Sequence, residues 1–514
     1  MTALSRRSFL EKCGYGALAT GLSSIWPEPA EAAWGDIPTG VPGLPDVWPA
    51  SYQPKKILEV FCFGGLSQWE NFWVSEDVAA MKNWRNFQAA VQGVHWHCPT
   101  DAMPAISPAD QVNLFATASG FGDPSVPVYW GPATQPLWRS DIFNRARVVV
   151  EAHDLLPHPA ATPLNLTGHR LGHPRMAGTG SAIQHRAMSA APRTTPYSFV
   201  LAPDNIGGFD FGPLAAVANG THPGYAQPMM IRIGDPSFTA LLQRSQMSPE
   251  ADQLIRTHQA RYRDHLRFHN LGDAIRSAGF SSYDTAVNFL LHAADLTSLL
   301  SGGVLTVSNG RLCGTAAAAE PPQLLNRTLT AINTATLLLT TGGARHVCVF
   351  DGGFDFPLVG NSYDTHSGPD LHISRTSSNL FNLCSALAAK IDPLGTNPTM
   401  LSLTDTMIVI KTEFGRDPDI EGGDGGRNHW PFGYVTVLIG GPITAKSIGG
   451  NLDISGVAPA TVFSPTDVQG AVLLAAGVDP FAPENFGVGD FTSTISAGTE
   501  QGTRLNLKTK ILNV

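Results

Sequence analysis

The stretch DTMIVIKTEFGRDPDIEGGDGGRNHWP, residues 405–431, joins an apolar run of strand length to a glycine-rich loop. The run MIVI is typical of a strand that is buried on both faces of a sheet. The loop that follows begins near Glu413, contains five glycines and closes on His429. Glycine lets a loop fold back without side chains obstructing its path. The pattern therefore predicts a carboxylate and an imidazole brought together at the end of a buried strand.

Four further apolar runs have the length and composition of strands, at 57–63, 147–154, 344–355 and 434–441. Stretches with helical spacing lie between or after them, at 321–340, 375–391 and 466–476. Strands that alternate with helices indicate an α/β fold, with a mainly parallel sheet and helices on both faces. Residues 248–301 are helical and mixed in polarity, so we predict a helical insertion or lid at about 200–310.

The first 32 residues carry the pattern of an export signal. Arg6 and Arg7 lie in SRRSFL, a modestly apolar stretch follows at 14–26, and the small-x-small triplet AEA occupies 30–32. This order predicts a twin-arginine signal peptide at 1–32, which the Tat translocon would export to the periplasm or the extracellular space. An ordinary amphipathic N-terminal helix is the alternative. The proline-rich residues 33–54 are predicted to be a linker, and 55–514 the folded domain.

Composition excludes several classes of protein. The formal net charge is −9, and it stays −9 without the signal, because residues 1–32 hold three acids and three bases. An acidic chain with no basic run argues against nucleic-acid binding. No segment after the signal is long and apolar enough for a membrane anchor. The five remaining cysteines form no CxxC pair, which disfavours a structural zinc site of that kind.

Acidic and imidazole side chains follow four of the predicted strands. In chain order they are Glu70; His153, Asp154 and His158; Asp351, Asp355, Asp364 and His366; and Glu413, Asp417 and His429. In open α/β sheets, functional groups gather at the carboxyl ends of strands. Carboxylates with imidazoles suit a divalent ion such as zinc, or manganese and iron where oxygen ligands dominate. Two neighbouring ions would explain so many acids in one place, since carboxylates otherwise repel one another.

Some of these candidates also have a plainer explanation. Glu70 is equally well a solvated loop acid. Arg416 is either a structural salt-bridge partner or a guanidinium that clamps an anionic group. A lone loop histidine is more often a surface residue than a ligand. For His366 beside Asp364, and for His429 in a strand-end loop, ligation is the favoured interpretation.

Six motifs, in chain order, resemble a known family. They are GGLSQWENFW at 64–73, NLTGHRLGHPRMAG at 165–178, YDTHS at 363–367, TEFGRDP at 412–418, GRNHWP at 426–431 and YVTVLIGG at 434–441. Together they span most of the mature chain and resemble the Tat-exported bacterial proteins of the domain of unknown function 1501 family. The usual patterns of that family are GGWDTHS, TEFGRTP and GRDHWP. TEFGR followed by GRNHWP is the most specific part of the resemblance.

That family looks like a member of the alkaline phosphatase-like superfamily, which also holds the sulfatases. There, strand-end carboxylates and histidines bind one or two divalent metals, and a Ser, Thr or formylglycine at a helix N-terminus attacks phosphorus or sulfur. The resemblance implies an alkaline phosphatase-like fold. It also implies a set of metal ligands, at the positions Glu70, Asp364, His366, Glu413 and His429.

The chain departs from the family pattern at three places. An insertion splits the equivalent of GGWDTHS, so either Asp355 or Asp364 is the corresponding acid. Arg175 stands where the family tends to place a serine, which leaves Thr167 as the remaining candidate for a hydroxyl nucleophile. Phe414 stands where the superfamily usually places a second metal-binding histidine. A complete two-metal set is therefore in question.

Two functions agree with these features. The first is a metal-dependent hydrolase of phosphate or sulfate esters outside the cytoplasm, with an anionic small molecule or polymer as substrate, Thr167 as nucleophile and Arg416 as anion clamp. The second is a secreted protein of the same fold that binds a metal or a polymer without turnover. A redox protein is disfavoured, because the chain has neither a cysteine cluster nor a dinucleotide fingerprint.

Overall fold

The computed structural model describes residues 56–75, 128–174, 176–190, 193–203, 227–234, 248–269, 285–287, 293–300, 326–353, 363–366, 369–419, 426–452, 459–481 and 491–514, with positions 218, 220, 222, 225 and 289. The predicted signal with Arg6 and Arg7, the predicted linker at 33–54, and Asp355 lie outside the described residues. Those assignments stay predictions.

Strands and helices alternate along the described chain. The strands are β1 (Lys56–Cys62), β2 (Val74–Ser75), β3 (Val128–Tyr129), β4 (Ala146–Glu151), β5 (Ser198–Pro203), β6 (Met229–Ile233), β7 (His346–Asp351), β8 (Thr406–Lys411), β9 (Gly415–Arg416), β10 (His429–Trp430), β11 (Tyr434–Gly440), β12 (Ser447–Gly449), β13 (Asn451–Leu452) and β14 (Pro459–Thr461). The α-helices are α1 (Ser140–Phe143), α2 (His158–Thr167), α3 (Thr179–Ala190), α4 (Pro249–His269), α5 (Ala293–Leu300), α6 (Arg327–Thr340), α7 (Pro369–Ala388), α8 (Pro465–Ala475) and α9 (Glu500–Asn506). A 3-10 helix spans Pro132–Leu137 and a π-helix spans Leu507–Leu512.

Eight of the strands form one central sheet in the order β12-β4-β11-β8-β1-β7-β5-β6. Every neighbouring pair in it is parallel except the two pairs that β11 makes, with β4 and with β8. The prediction of a mainly parallel sheet is confirmed. The first strand of the chain, β1, lies near the middle of the sheet, between β7 and β8.

The direction of β11 follows from the way the chain reaches it. Between the end of β8 at Lys411 and the start of β11 at Tyr434, the described residues form only the two-residue strands β9 and β10, which pair with each other. A strand that is parallel to the preceding one needs a crossover, usually a helix, that carries the chain back to the amino ends of the strands. Here the chain re-enters the sheet at the same end at which it left, so β11 runs antiparallel to β8. The described parts of this connection, 412–419 and 426–433, therefore lie at the carboxyl end of β8.

Helices cover both faces of the sheet, as predicted. Alternate residues of β1 point to opposite faces, because the side-chain period of a strand is two. Leu58 and Val60 are buried in a cluster with Ile332 of α6 and Leu383 of α7. Ile57, on the other face, is buried with side chains of α3 and α8. Among the described helices, none combines the length and apolarity needed to cross a membrane.

The segment predicted as a helical insertion, 200–310, holds strands as well as helices. β5 extends to Pro203, and β6 pairs with it in parallel over Met229–Ile233. The sheet thus continues into this segment, and its described helical parts are confined to the regions of α4 and α5 and to short stretches near 218 and 285–289. The run MMIRI is short and contains an arginine, which hides its strand character in the sequence.

A buried charged network crosses the middle of the sheet. The Glu59 carboxylate of β1 accepts a hydrogen bond from His346 Nε2 of β7 at 2.9 Å and pairs with the Lys411 ammonium of β8. All three side chains are almost completely buried. Burial raises the pKa of Glu59, but the Lys411 and His346 side chains outweigh that effect and lower the pKa to about 2. Glu59 is therefore ionised at neutral pH and is compensated by its two partners.

We expect the stability that Glu59 contributes to be lost in acid. Because the pKa of Glu59 is lower in the folded chain, its contribution is complete above the ordinary glutamate pKa of 4.5 and disappears as the pH falls toward about 2. Urea unfolding of wild type and Glu59→Gln, near pH 7 and near pH 3, measures this. The difference between the two unfolding free energies should shrink at the lower pH. An equal difference at both pH values would contradict an ionised Glu59.

Candidate metal centre

Four side chains converge at the carboxyl edge of the sheet. His158 is the first residue of α2, just beyond the end of β4, and His429 is the first residue of β10. Asp364 and His366 belong to the short segment 363–366, whose Tyr363 N–H donates to Phe63 O at the end of β1. One ligand atom from each of His158, Asp364, His366 and His429 lies within 4.8 Å of all the others. We call these four residues the His/Asp cluster.

The spacing within the cluster matches the shell of one ion. His366 Nε2 lies 2.9 Å from His429 Nε2 and 3.0 Å from Asp364 Oδ1. His158 Nε2 lies 3.4 Å from Asp364 Oδ2, and His429 Nε2 lies 3.8 Å from Asp364 Oδ1. Ligand atoms at 2.0–2.1 Å from a tetrahedral zinc ion are about 3.3 Å from one another. The cluster therefore needs little rearrangement to hold an ion.

The outer nitrogens of two histidines are fixed by acceptors. His158 Nδ1 donates to Glu413 Oε1 at 2.6 Å, and His429 Nδ1 donates to Leu156 O at 2.7 Å. In a neutral ring the proton on Nδ1 leaves a lone pair on Nε2, which then faces the cluster. His158 Nε2 is buried and lies 3.4 Å from Asp364 Oδ2. A carboxylate or carbonyl behind a histidine, with Nε2 turned to a common point, is the usual environment of a metal-bound imidazole.

The charges of the cluster favour a cation. Burial raises the pKa of Asp364, but hydrogen bonds from the three imidazoles and the charge of Arg416 hold that pKa far below its usual range. Burial lowers the pKa of His158, but the carboxylates of Asp364 and Glu413 outweigh it and raise that pKa to about 9. Two carboxylates thus face one imidazole. A divalent ion would compete with the proton for this nitrogen.

Glu413 supports the cluster from behind. Its side chain is completely buried, and Oε1 accepts from Gly64 N at 2.7 Å as well as from His158. Its other oxygen, Oε2, accepts from Thr412 Oγ1 at 3.0 Å. Glu413 and His429, which the sequence placed at one metal centre, each contact His158, and Glu413 reaches the cluster only through that residue. The structure gives Glu413 the place of an orienting carboxylate and not that of a ligand.

Arg416 is also committed to the protein itself. Its guanidinium donates to Gly64 O, to Gly65 O at 3.1 Å and to Arg427 O at 2.8 Å, and it pairs with Asp364 Oδ1 at 2.5 Å. The side chain has no solvent exposure. Of the two predicted roles, this geometry favours the structural salt bridge over the anion clamp. Arg416 holds Asp364 in place.

Two other predicted site residues lie outside the cluster. The Glu70 carboxylate pairs with Arg427 at 3.1 Å and accepts from Ser67 Oγ at 2.6 Å. Thr167 lies at the C-terminal end of α2, where its hydroxyl donates to Pro163 O at 2.7 Å within the same helix. A nucleophile at a helix N-terminus was the expectation, so the structure does not give Thr167 that position.

Phe414 forms an apolar wall of the cluster. Its ring centroid lies 4.2 Å from that of His429 and 4.8 Å from that of His158. A histidine at this position would offer a further nitrogen ligand, whereas a phenyl ring offers none. Within the described part of the chain, the His/Asp cluster is the single group of this kind. The geometry thus fits one ion better than two.

His158 follows a predicted strand, but it was not among the ligands predicted from the sequence. Its signal was present, because His158 opens a helix directly after β4, a position from which a side chain faces the strand ends. The partner that identifies it, Glu413, is 255 residues away and could not be paired with it from spacing.

Three imidazole nitrogens and a carboxylate oxygen are a ligand set that zinc accepts, and manganese or iron also bind such ligands. His158, Asp364 and His429 are 15%, 18% and 17% exposed, whereas His366 is 44% exposed. His366 is therefore the most solvent-exposed residue of the cluster. Four protein ligands fill a tetrahedral shell, so catalysis would require a fifth position or the release of one ligand.

Comparison with known proteins identifies the family. A family model described as "Protein of unknown function (DUF1501)" matches residues 54–484, which is most of the chain. A search of curated proteins finds no match.

Proposed function

We propose that this chain, which belongs to the DUF1501 family of proteins of unknown function, is a metal-dependent hydrolase of phosphate or sulfate esters. It would bind one divalent ion in the His/Asp cluster. The observation that carries the proposal is His158, whose Nδ1 donates to a buried carboxylate while its buried Nε2 lies 3.4 Å from Asp364 Oδ2, in a group of four possible ligands.

The residues of the chain have separate roles in this proposal. His158, Asp364, His366 and His429 would hold the ion, which would polarise the ester oxygen and lower the pKa of an attacking water. Glu413 fixes the tautomer of His158, and Arg416 keeps Asp364 ionised and aimed. The Thr167 hydroxyl donates within its own helix, at the C-terminal end of α2. Water is therefore the nucleophile that we favour, in place of Thr167.

The proposal also includes a fold family, an export route and a class of substrate. A mainly parallel sheet with a carboxylate and imidazole site at its carboxyl edge supports an alkaline phosphatase-like fold. The pattern around Arg6 and Arg7 supports export through the Tat translocon to the periplasm or beyond, where an anionic small molecule or polymer would be the substrate.

A second function is favoured by one specific observation. The four ligand atoms of the cluster would complete a tetrahedral shell around zinc, which is the arrangement of structural zinc sites. A secreted protein that binds a metal or a polymer without turnover would have such a closed site. The two functions differ in whether His366, the exposed ligand, leaves room for substrate.

The test compares metal content and ester hydrolysis in wild type, His429→Ala and His258→Ala, each stripped with a chelator and reloaded with zinc, manganese or iron. His258 is an exposed histidine of α4 and serves as the control. We expect about one equivalent of metal in wild type and His258→Ala, and none in His429→Ala, because the ligand set is incomplete. Metal-dependent hydrolysis of 4-nitrophenyl phosphate or sulfate should follow the metal.

The outcomes separate the proposals. Hydrolysis that requires the metal and is lost in His429→Ala supports the hydrolase. Stoichiometric metal with no hydrolysis of either ester class in any loaded form supports the binding protein. A wild type that binds no metal while remaining folded would overturn the hydrolase and the metal-binding protein, and would leave only a binding role that needs no metal.

A further inference from the structure

Asn165 lies on the same face of α2 as His158, two helical turns further along. Both residues contact Glu413. His158 donates to the Glu413 carboxylate, and Asn165 Nδ2 donates to the Glu413 backbone carbonyl at 2.8 Å. One face of α2 therefore contacts both the side chain and the main chain of Glu413, two residues after the end of β8.

The Asn165 side chain is buried, and its amide is fully engaged. Nδ2 donates a second hydrogen bond to Ala161 O at 3.0 Å, and Oδ1 accepts from Tyr434 Oη at 2.6 Å. Because two carbonyls face the nitrogen and a hydroxyl faces the oxygen, the amide has only one orientation that satisfies all three contacts. The Asn165 backbone carbonyl, in turn, accepts from Lys411 Nζ at 2.7 Å.

These contacts tie α2 to two strands of the sheet. Lys411 ends β8 and Tyr434 begins β11, so Asn165 is bonded to both at the edge where the cluster lies. Lys411 also pairs with Glu59, which places the buried charged network of the sheet directly beneath this junction. Movement of α2 along or away from β8 would therefore break several buried hydrogen bonds at once.

We propose that Asn165 is a positioning residue of the metal centre: it fixes α2 against β8 so that His158 Nδ1 and the Glu413 carboxylate stay aligned. The inference rests on the proposed metal site. The 2.6 Å contact between His158 and Glu413 tolerates little displacement, because hydrogen bonds weaken steeply with angle and distance. Losing an outer partner of a metal ligand typically lowers metal affinity by about 10- to 100-fold.

The experiment measures zinc affinity by competition with a chelator, and the visible absorption of cobalt-substituted protein, in full-length variants. Asn165→Ala removes the whole junction. Asn165→Asp keeps its size and an acceptor for Tyr434 but removes the amide donor. Tyr434→Phe removes one hydrogen bond and keeps the ring. Thr334→Val is the control, because it deletes a buried side-chain hydrogen bond of 2.8 Å in α6, away from the cluster.

We expect zinc affinity to fall by about 10-fold or more in Asn165→Ala and Asn165→Asp, with altered cobalt bands, and to fall less in Tyr434→Phe. Thr334→Val should lose thermal stability without a change in zinc affinity or in the cobalt absorption bands. If Asn165→Ala fails to fold, Tyr434→Phe still decides the question.

Two results would overturn the inference while leaving the metal site intact. One is unchanged zinc affinity and unchanged cobalt bands in the folded Asn165 variants and in Tyr434→Phe. The other is an equal loss of affinity in Thr334→Val, which would make the effect a general one of stability. If wild type itself binds no zinc or cobalt, the proposed function fails first.

Discussion

Metal binding should be abolished in His158→Ala and only weakened, by about 10- to 100-fold, in Glu413→Gln. His158 supplies a ligand atom, and alanine leaves no substitute for it. Glu413 supplies no ligand atom; its carboxylate accepts a hydrogen bond from Nδ1 of His158. Glutamine keeps the size and one acceptor oxygen but removes the charge, so the imidazole stays near its place and becomes a poorer ligand.

The measurement is zinc affinity by chelator competition, together with elemental analysis after gel filtration. Glu151→Gln is the matched control, because Glu151 is also a buried glutamate at the end of a strand but has no part in the cluster. Its zinc affinity should equal that of wild type. If Glu413→Gln loses the metal as completely as His158→Ala, Glu413 is a ligand, and the assignment of an orienting role is wrong.

Arg416→Met should destabilise the metal-free protein by about 3–5 kcal/mol, the usual cost of removing one partner of a buried ion pair. Three backbone carbonyls and the Asp364 carboxylate lose their donor, while methionine fills most of the volume. Two of those carbonyls belong to the loop after β1, and the third is at Arg427 beside β10. The residue thus ties three separate chain segments together.

Urea unfolding in the presence of a chelator measures this loss, with Arg139→Met as control. Arg139 also pairs with an aspartate, Asp141, but both side chains are 45% exposed. An exposed pair of this kind contributes about 0–1 kcal/mol. An Arg416→Met protein with the stability of wild type and a selective loss of anion binding would restore the role of anion clamp.

The sequence was sufficient for the local features of the site and insufficient for its pairings. The run before Glu413 predicted β8, and the glycine loop indicated that Glu413 and His429 belong to one site; in the structure each of them contacts His158. Whether Glu413 binds a metal directly depends on His158, which lies beyond the end of a different strand, β4. Spacing in the sequence carries no information about such a contact.

Arg416 illustrates the same limit. An arginine in a strand-end loop beside acids is compatible with anion binding, and only the carbonyls around it decide otherwise. Those of Gly64 and Gly65 are more than 350 residues away in sequence, at the end of β1. The direction of β11, in contrast, follows from a local connection, because the described residues between β8 and β11 form no helix.

The central place of β1 has a consequence for how the protein is made. β1 leaves the ribosome before every other strand of the sheet, yet its neighbours β7 and β8 are among the later strands. Cys62 and Thr412, whose main chain and side chain are bonded, are 350 residues apart. At 5–20 residues per second, about 20 to 70 seconds of synthesis separate them. Until β7 is synthesised, the nascent chain carries an apolar strand with both edges open, so we expect a holding chaperone to bind this segment.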